Sequence, residues 1–173
     1  FIIQSLLIFI MKILIFTEGT LIMHKNARGH TREEIVKQVQ DGKDRSLYEW
    51  KTYVPIGNAV EKLQTWKNQG VKILYLTSRT KLTEIEDIRS ALKKHNFPEG
   101  QLLFRQEDEE YEDVVERVMP DIIVEDDCES IGGKDKMIYM HVKPELKRRV
   151  KSVVIREFGG IDHLPDSISE LTV

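Results

Sequence analysis

The sequence predicts an α/β domain built on a mostly parallel sheet, on three observations. First, short β-rich apolar runs alternate with segments of helical spacing. Second, the runs are predominantly apolar rather than alternating, as strands covered on both faces are. Third, three of them end in polar clusters: Ile13-Leu14-Ile15-Phe16 enters Thr17-Glu18-Gly19-Thr20, Val71-Lys72-Ile73-Leu74-Tyr75-Leu76 enters Thr77-Ser78-Arg79, and Ile122-Ile123-Val124 enters Glu125-Asp126-Asp127. Ligands of open α/β sheets bind beyond the carboxyl ends of the strands, so the clusters are expected to converge on one pocket. Its hydroxyls, guanidinium and carboxylates suit a phosphate together with a divalent cation.

The elements follow in order. Met11–Phe16 is the first strand. Residues 21–54 form a polar connection that reads as a small cap segment. Within it Thr31 is placed to cap a helix, with Glu34 three residues on, Ile35, Val36 and Val39 following, and Gly42 ending it. Leu47, Tyr48, Trp50 and Tyr53 make an aromatic-rich stretch. After Pro55-Ile56-Gly57-Asn58, a second helix carries Ala59, Val60, Leu63 and Trp66, and Gly70 precedes the second strand. A third helix from Lys81 or Leu82 carries Ile85, Ile88 and Leu92 until Phe97-Pro98-Glu99-Gly100 breaks it. Leu102–Phe104 is a short strand. Val114, Val115 and Val118 mark a fourth helix, and Pro120-Asp121 turns into the strand Ile122–Val124. In the tail, Met137–Val142 reads as a strand, Glu145–Val150 as a helix and Val153–Ile155 as a strand.

A chain of 173 residues fits one domain with a substantial core. Its net charge of −3 provides no basic field for nucleic acid or an anionic membrane, so neither is expected as a partner. The single cysteine, Cys128, excludes a disulfide within the chain and agrees with a cytoplasmic location. The apolar run from Phe1 is interrupted by Lys12 and falls short of the roughly 20 residues of a membrane span. Nor does it carry the marks of a signal peptide. Met11 reads as the natural start and residues 1–10 as an upstream or non-native extension; a hydrophobic anchor is the competing reading.

An acid-Gly-Thr after the first strand, a helix after Pro55-Ile56-Gly57, a strand ending Leu76-Thr77-Ser78-Arg79 and a strand ending Glu125-Asp126-Asp127 occur in that order across residues 11–133. Together they resemble the haloacid dehalogenase (HAD) superfamily. The resemblance implies a Rossmann-like three-layer α/β/α sandwich and a phosphate site served by Mg²⁺. In that family the first strand ends Asp-x-Asp-Gly-Thr, the first aspartate attacking phosphorus and the second acting as acid/base. Aligned on Gly19-Thr20, this chain carries Phe16 at the nucleophile and Glu18 at the acid/base. Phenylalanine can neither attack phosphorus nor bind a metal, and covalent catalysis needs a nucleophile.

The resemblance assigns phosphate binding to Thr77, with Ser78 and Arg79 beside it. The bland alternative is helix capping, which uses the same geometry. It also asks for a base before the last strand. Arg105 is the nearest candidate and Arg117 a poorer one, because six of the eight residues from Gln106 to Asp113 are acidic. That run is expected to be a solvated helix start. Asp126 and Asp127, with Glu18, are the expected metal ligands, against the alternative of a turn. Cys128 is a spectator, since nearby carboxylates oppose its thiolate. His24 and His30 are packing or surface residues, Gly132-Gly133 and Gly159-Gly160 are turns, and the basic residues from Lys143 to Lys151 form a solvated helix face. The expected function is therefore that of an atypical HAD-like protein: a phosphate- and Mg²⁺-binding pocket for a small phosphorylated molecule, with hydrolase activity absent or reduced. One alternative is an active, nucleotidase-like phosphomonoester hydrolase using Glu18 in a rearranged site. Another is an interaction module contacting partners through Leu47–Tyr53.

Overall fold

The structure is a computed structural model describing residues 10–172, so the readings for residues 1–9 lie outside the described residues. The elements run β1 (Lys12–Phe16), β2 (Ile22–Met23), α1 (Arg32–Asp41), β3 (Val54–Pro55), α2 (Ala59–Lys67), β4 (Lys72–Leu76), α3 (Leu82–Lys94), β5 (Gln101–Leu103), α4 (Tyr111–Val118), β6 (Ile122–Asp126), α5 (Ile138–His141), α6 (Pro144–Lys147) and β7 (Lys151–Ile155). The main sheet has the order β5-β4-β1-β6-β7, and every pairing in it is parallel.

Side-chain alternation along the strands creates two cores. Ile13 and Ile15 of β1, Ile73 and Tyr75 of β4, and Ile122 and Val124 of β6 pack with Leu63 and Trp66 of α2 and Ile85 and Ile88 of α3. On the other face Leu14, Leu74, Leu76 and Ile123 pack with Val114 and Val115 of α4 and with Ile138. These are the three layers expected of an α/β/α sandwich. β1 lies at the sheet centre, between β4 and β6, so the loops after these three strands meet.

Two features depart from expectation. β2 and β3 form a separate antiparallel pair, Ile22 opposite Pro55 and Met23 opposite Val54. The intervening residues thus leave and re-enter the domain at one point. Met137–Val142 is not a strand but contains the single-turn helix α5. The Glu125 carboxylate decides this by accepting the Ile138 and Tyr139 N–H groups at 2.7 and 2.9 Å, satisfying donors that a helix start leaves free.

α1 begins as expected. Thr31 accepts the Glu34 N–H at 3.3 Å, and Glu34 accepts the Thr31 N–H at 2.8 Å. Thr31→Ala is expected to remove about 1 kcal/mol of stability, read from the urea midpoint at unchanged slope.

Candidate phosphate and metal site

The loop after β1 is held against both neighbouring strands. The Thr17 N–H donates to the Leu76 carbonyl at 2.9 Å, and the Leu21 and Ile22 N–H groups return to the Thr17 carbonyl at 2.9 and 3.0 Å. Gly19 adopts φ +83°, open to glycine but strained for other residues. Phe16 closes β1 with its ring edge-on to Tyr111, centroids 5.6 Å apart.

This loop aims Glu18 at the end of β4. Glu18 Oε1 accepts the Thr77 hydroxyl at 2.7 Å and the Ser78 hydroxyl at 3.2 Å, and it lies 3.3 Å from Arg79 Nε. The Thr17 hydroxyl bonds the other carboxylate oxygen. Thr77 is fully buried and accepts the Arg79 N–H at 3.2 Å. The Arg79 guanidinium lies 4.1 Å above the Trp50 ring and bonds the Ser78 hydroxyl at 2.8 Å.

On the other side of the Gly19 loop, Asp126, Asp127 and Glu157 each direct a carboxylate oxygen to within 4.8 Å of the others. β6 runs to Asp126, so alternation turns Glu125 towards α5 and Asp126 towards the loop. Asp126 accepts the Thr20 hydroxyl at 2.8 Å and the Cys128 N–H at 2.9 Å. Asp127 accepts the Glu157 N–H at 3.0 Å, and Glu157 accepts the Ser130 N–H and hydroxyl at 2.6 and 2.7 Å. Burial raises the Asp126 and Glu157 carboxyl pKa values above their ordinary range, and neighbouring carboxylates add to the rise. Outside this cluster Arg32 pairs with Glu129 and lies 4.0 Å from Asp127.

Glu18 is not part of the acidic cluster: its carboxylate is spent on the hydroxyls and Arg79, and Glu157 supplies the third carboxylate. Arg105 does not face the cavity. Its guanidinium lies 4.4 Å above the Tyr111 ring and pairs with Glu110 at 3.3 Å. Arg117 pairs with Glu109 at 2.9 Å. The acidic run is a helix start, with Glu110 and Asp113 forming a capping box on α4. The Cys128 thiol is pushed up by burial first, then by Asp126, Glu125 and Glu157. His24 is buried against Gln38 at 3.0 Å, and its burial lowers its pKa.

A cavity of about 330 Å³ opens between these groups and the segment joining β2 to β3. Phe16, Glu18, Ser78, Arg79, Asp126 and Glu157 line it from the sheet, and His24, Leu47, Tyr48, Trp50 and Tyr53 from the opposite side. Leu47 and Tyr53 are buried and Trp50 is half-buried, so this stretch is cavity wall, with only Tyr48 of the four well exposed.

A parallel sheet covered on both faces, with acidic and hydroxyl groups gathered where β1, β4 and β6 end, defines a HAD-like fold. The chain belongs to the family described as "PITM 1-3, LNS2 domain", which matches residues 18–119. Among curated proteins, none matches the chain significantly. Among solved structures it is similar to the class C acid phosphatase from Bacillus anthracis with tungstate bound: 11% identity, TM-score 0.55, covering 94% of this chain and 77% of that one. It is also similar to a chain of the Pnkp1/Rnl/Hen1 RNA repair complex: 15% identity, TM-score 0.50, covering 85% and 43%. At these identities the likeness concerns the fold. No helix among the described residues is long and apolar enough to cross a membrane.

Proposed function

We propose that this protein binds a small phosphorylated molecule and a divalent cation, Mg²⁺, at the cavity above β1, with phosphoryl hydrolase activity absent or reduced. The carrying observation is at the end of β1. Phe16 stands at the position the HAD resemblance gives to the nucleophile, and its ring is packed on Tyr111. The nearest carboxylate in sequence, Glu18, is engaged by Thr77, Ser78 and Arg79. Loss of a nucleophile removes several orders of magnitude in rate.

Thr77, Ser78 and Arg79 are the phosphate-binding groups in this reading. Hydroxyls and a guanidinium are suitable donors for phosphate oxygens, while Arg105 is engaged by Tyr111 and Glu110. Asp126, Asp127 and Glu157 fit the cation. All three offer hard oxygen donors, and burial first, then neighbouring carboxylates, raises the Asp126 and Glu157 pKa values, a cost to their charged forms that a cation would offset. A bound Mg²⁺ would neutralise phosphate charge at this end of the cavity.

The test is a panel of phosphomonoesters assayed with MgCl₂. Turnover is expected to be indistinguishable from a buffer blank, while MgCl₂ raises the melting temperature of the wild type and not of Asp127→Asn. Robust turnover abolished by Asp127→Asn would instead establish an active hydrolase. Loss of that turnover in Glu18→Gln as well would put Glu18 in the reaction.

A further inference from the structure

The geometry points to Glu18 as a resident anion that sets the affinity of the phosphate site: its carboxylate fills the donor set, and an incoming phosphate binds only by displacing it. This inference rests on the reading of Thr77, Ser78 and Arg79 as the phosphate-binding groups.

Two hydroxyls and a guanidinium charge converge on one oxygen. Glu18 Oε1 accepts the Thr77 hydroxyl at 2.7 Å and the Ser78 hydroxyl at 3.2 Å, and it forms an ion pair with Arg79, whose Nε lies 3.3 Å away. Its other oxygen is held by Thr17. Each hydroxyl has one proton to donate, so a proton given to Glu18 is not available to a ligand. The guanidinium is fixed as well, stacked 4.1 Å above Trp50 and bonded to Ser78 at 2.8 Å. A carboxylate and a phosphate oxygen are equivalent acceptors for such a set, and as like charges they exclude each other from it.

Two other features of this chain strengthen the exclusion. Arg105 stacks on Tyr111 and pairs with Glu110, so its charge is already shared with a carboxylate. Phe16 adds no polar atom where β1 ends. A glutamate reaches one methylene further than the aspartate of the resembled pattern, and that length carries its carboxylate across the gap from the β1 loop to the end of β4. Small free anions therefore compete poorly. The ligands that enter are those whose remaining body gains contact with the cavity wall formed by Trp50, Tyr53 and Tyr111.

The experiment is calorimetric titration of inorganic phosphate, with and without MgCl₂, into the full chain and into Glu18→Gln and Glu18→Asp. Melting curves establish that each is folded. Wild type is expected to bind weakly and Glu18→Gln roughly tenfold tighter, since the competing charge is gone but the side-chain volume remains. Adding Thr77→Ala to Glu18→Gln is expected to cancel the gain. Glu18→Asp, too short to hold the full donor set, is expected to fall between the two and carries the comparison where Glu18→Gln melts below the assay temperature. Equal affinity in all forms would leave the phosphate site standing and overturn the role of Glu18. Weaker binding in the Glu18 variants would overturn it too, by making Glu18 part of what holds the ligand. Absence of phosphate binding in every form would overturn the phosphate reading itself, and this inference with it.

Discussion

Trp66→Ala is expected to cost about 3–5 kcal/mol, the range for removing a large aromatic ring from a packed interior. Trp66 is fully buried on the face of α2 that meets the sheet, within the core of Ile13, Leu63 and Ile73. Its indole N–H also donates to the Pro165 carbonyl at 3.0 Å. That bond is one of several fastening the C-terminal segment across α2. Lys62 reaches the Leu164 carbonyl at 2.7 Å and pairs with Asp166, and Gln69 bonds the Asp166 carbonyl at 2.8 Å and the Ile168 N–H at 3.0 Å. Truncation therefore opens a cavity and also loosens the segment that follows Glu157. At roughly 2–4 °C per kcal/mol for a chain of this size, the melting temperature should fall by about 6–20 °C. Trp66→Phe separates the two contributions: it keeps most of the ring but loses the N–H, and should cost about 1–2 kcal/mol. Equal losses in the two variants would show that the hydrogen bond, not the packing, dominates.

The parts of the fold readable in advance are those where one residue pattern admits one structure. Ile13 and Ile15 against Leu14 in β1, the Thr31–Glu34 pair and the Ile85–Ile88–Leu92 spacing each specify their element locally. The meeting of Glu18 with Thr77 was legible too, because both follow parallel strands, and β1 and β4 pair directly. Other parts depend on tertiary partners. Six apolar or half-apolar residues from Met137 to Val142 suit a strand or a helix equally, and the Glu125 carboxylate from another element decides between them. β2 and β3 have two residues each, too few for a period to show. Arg105 takes its direction from Tyr111 and Glu110, which no spacing rule conveys. Glu157 had a usable signal: it follows the strand Val153–Ile155 as the other polar clusters follow theirs. Only the β6–β7 register, with Asp126 beside Ile155, reveals that it arrives next to Asp127.

That register also makes Gly19 the residue through which the two halves of the site constrain each other. A methyl group at Gly19 would lie 2.9 Å from Asp126 Oδ2 and 3.3 Å from Glu157 Cγ, at a backbone φ of +83°. Neither neighbour yields easily. Asp126 belongs to a central strand and is held by Thr20 and Cys128, and Glu157 is held twice by Ser130. Gly19→Ala should therefore carry the usual backbone strain of about 1–3 kcal/mol and a further penalty for the overlap. Gly70→Ala is the matched control, with φ +89° and nothing within 4 Å of the added carbon. Urea denaturation of both variants isolates the overlap as the difference between them. The larger effect is on the acidic cluster. Displacing Asp126 and Glu157 should abolish the MgCl₂-dependent rise in melting temperature in Gly19→Ala and leave it intact in Gly70→Ala. Equal destabilisation of the two variants, with the Mg²⁺ response retained in both, would mean that the loop can move away from the carboxylates and that Gly19 serves only the turn.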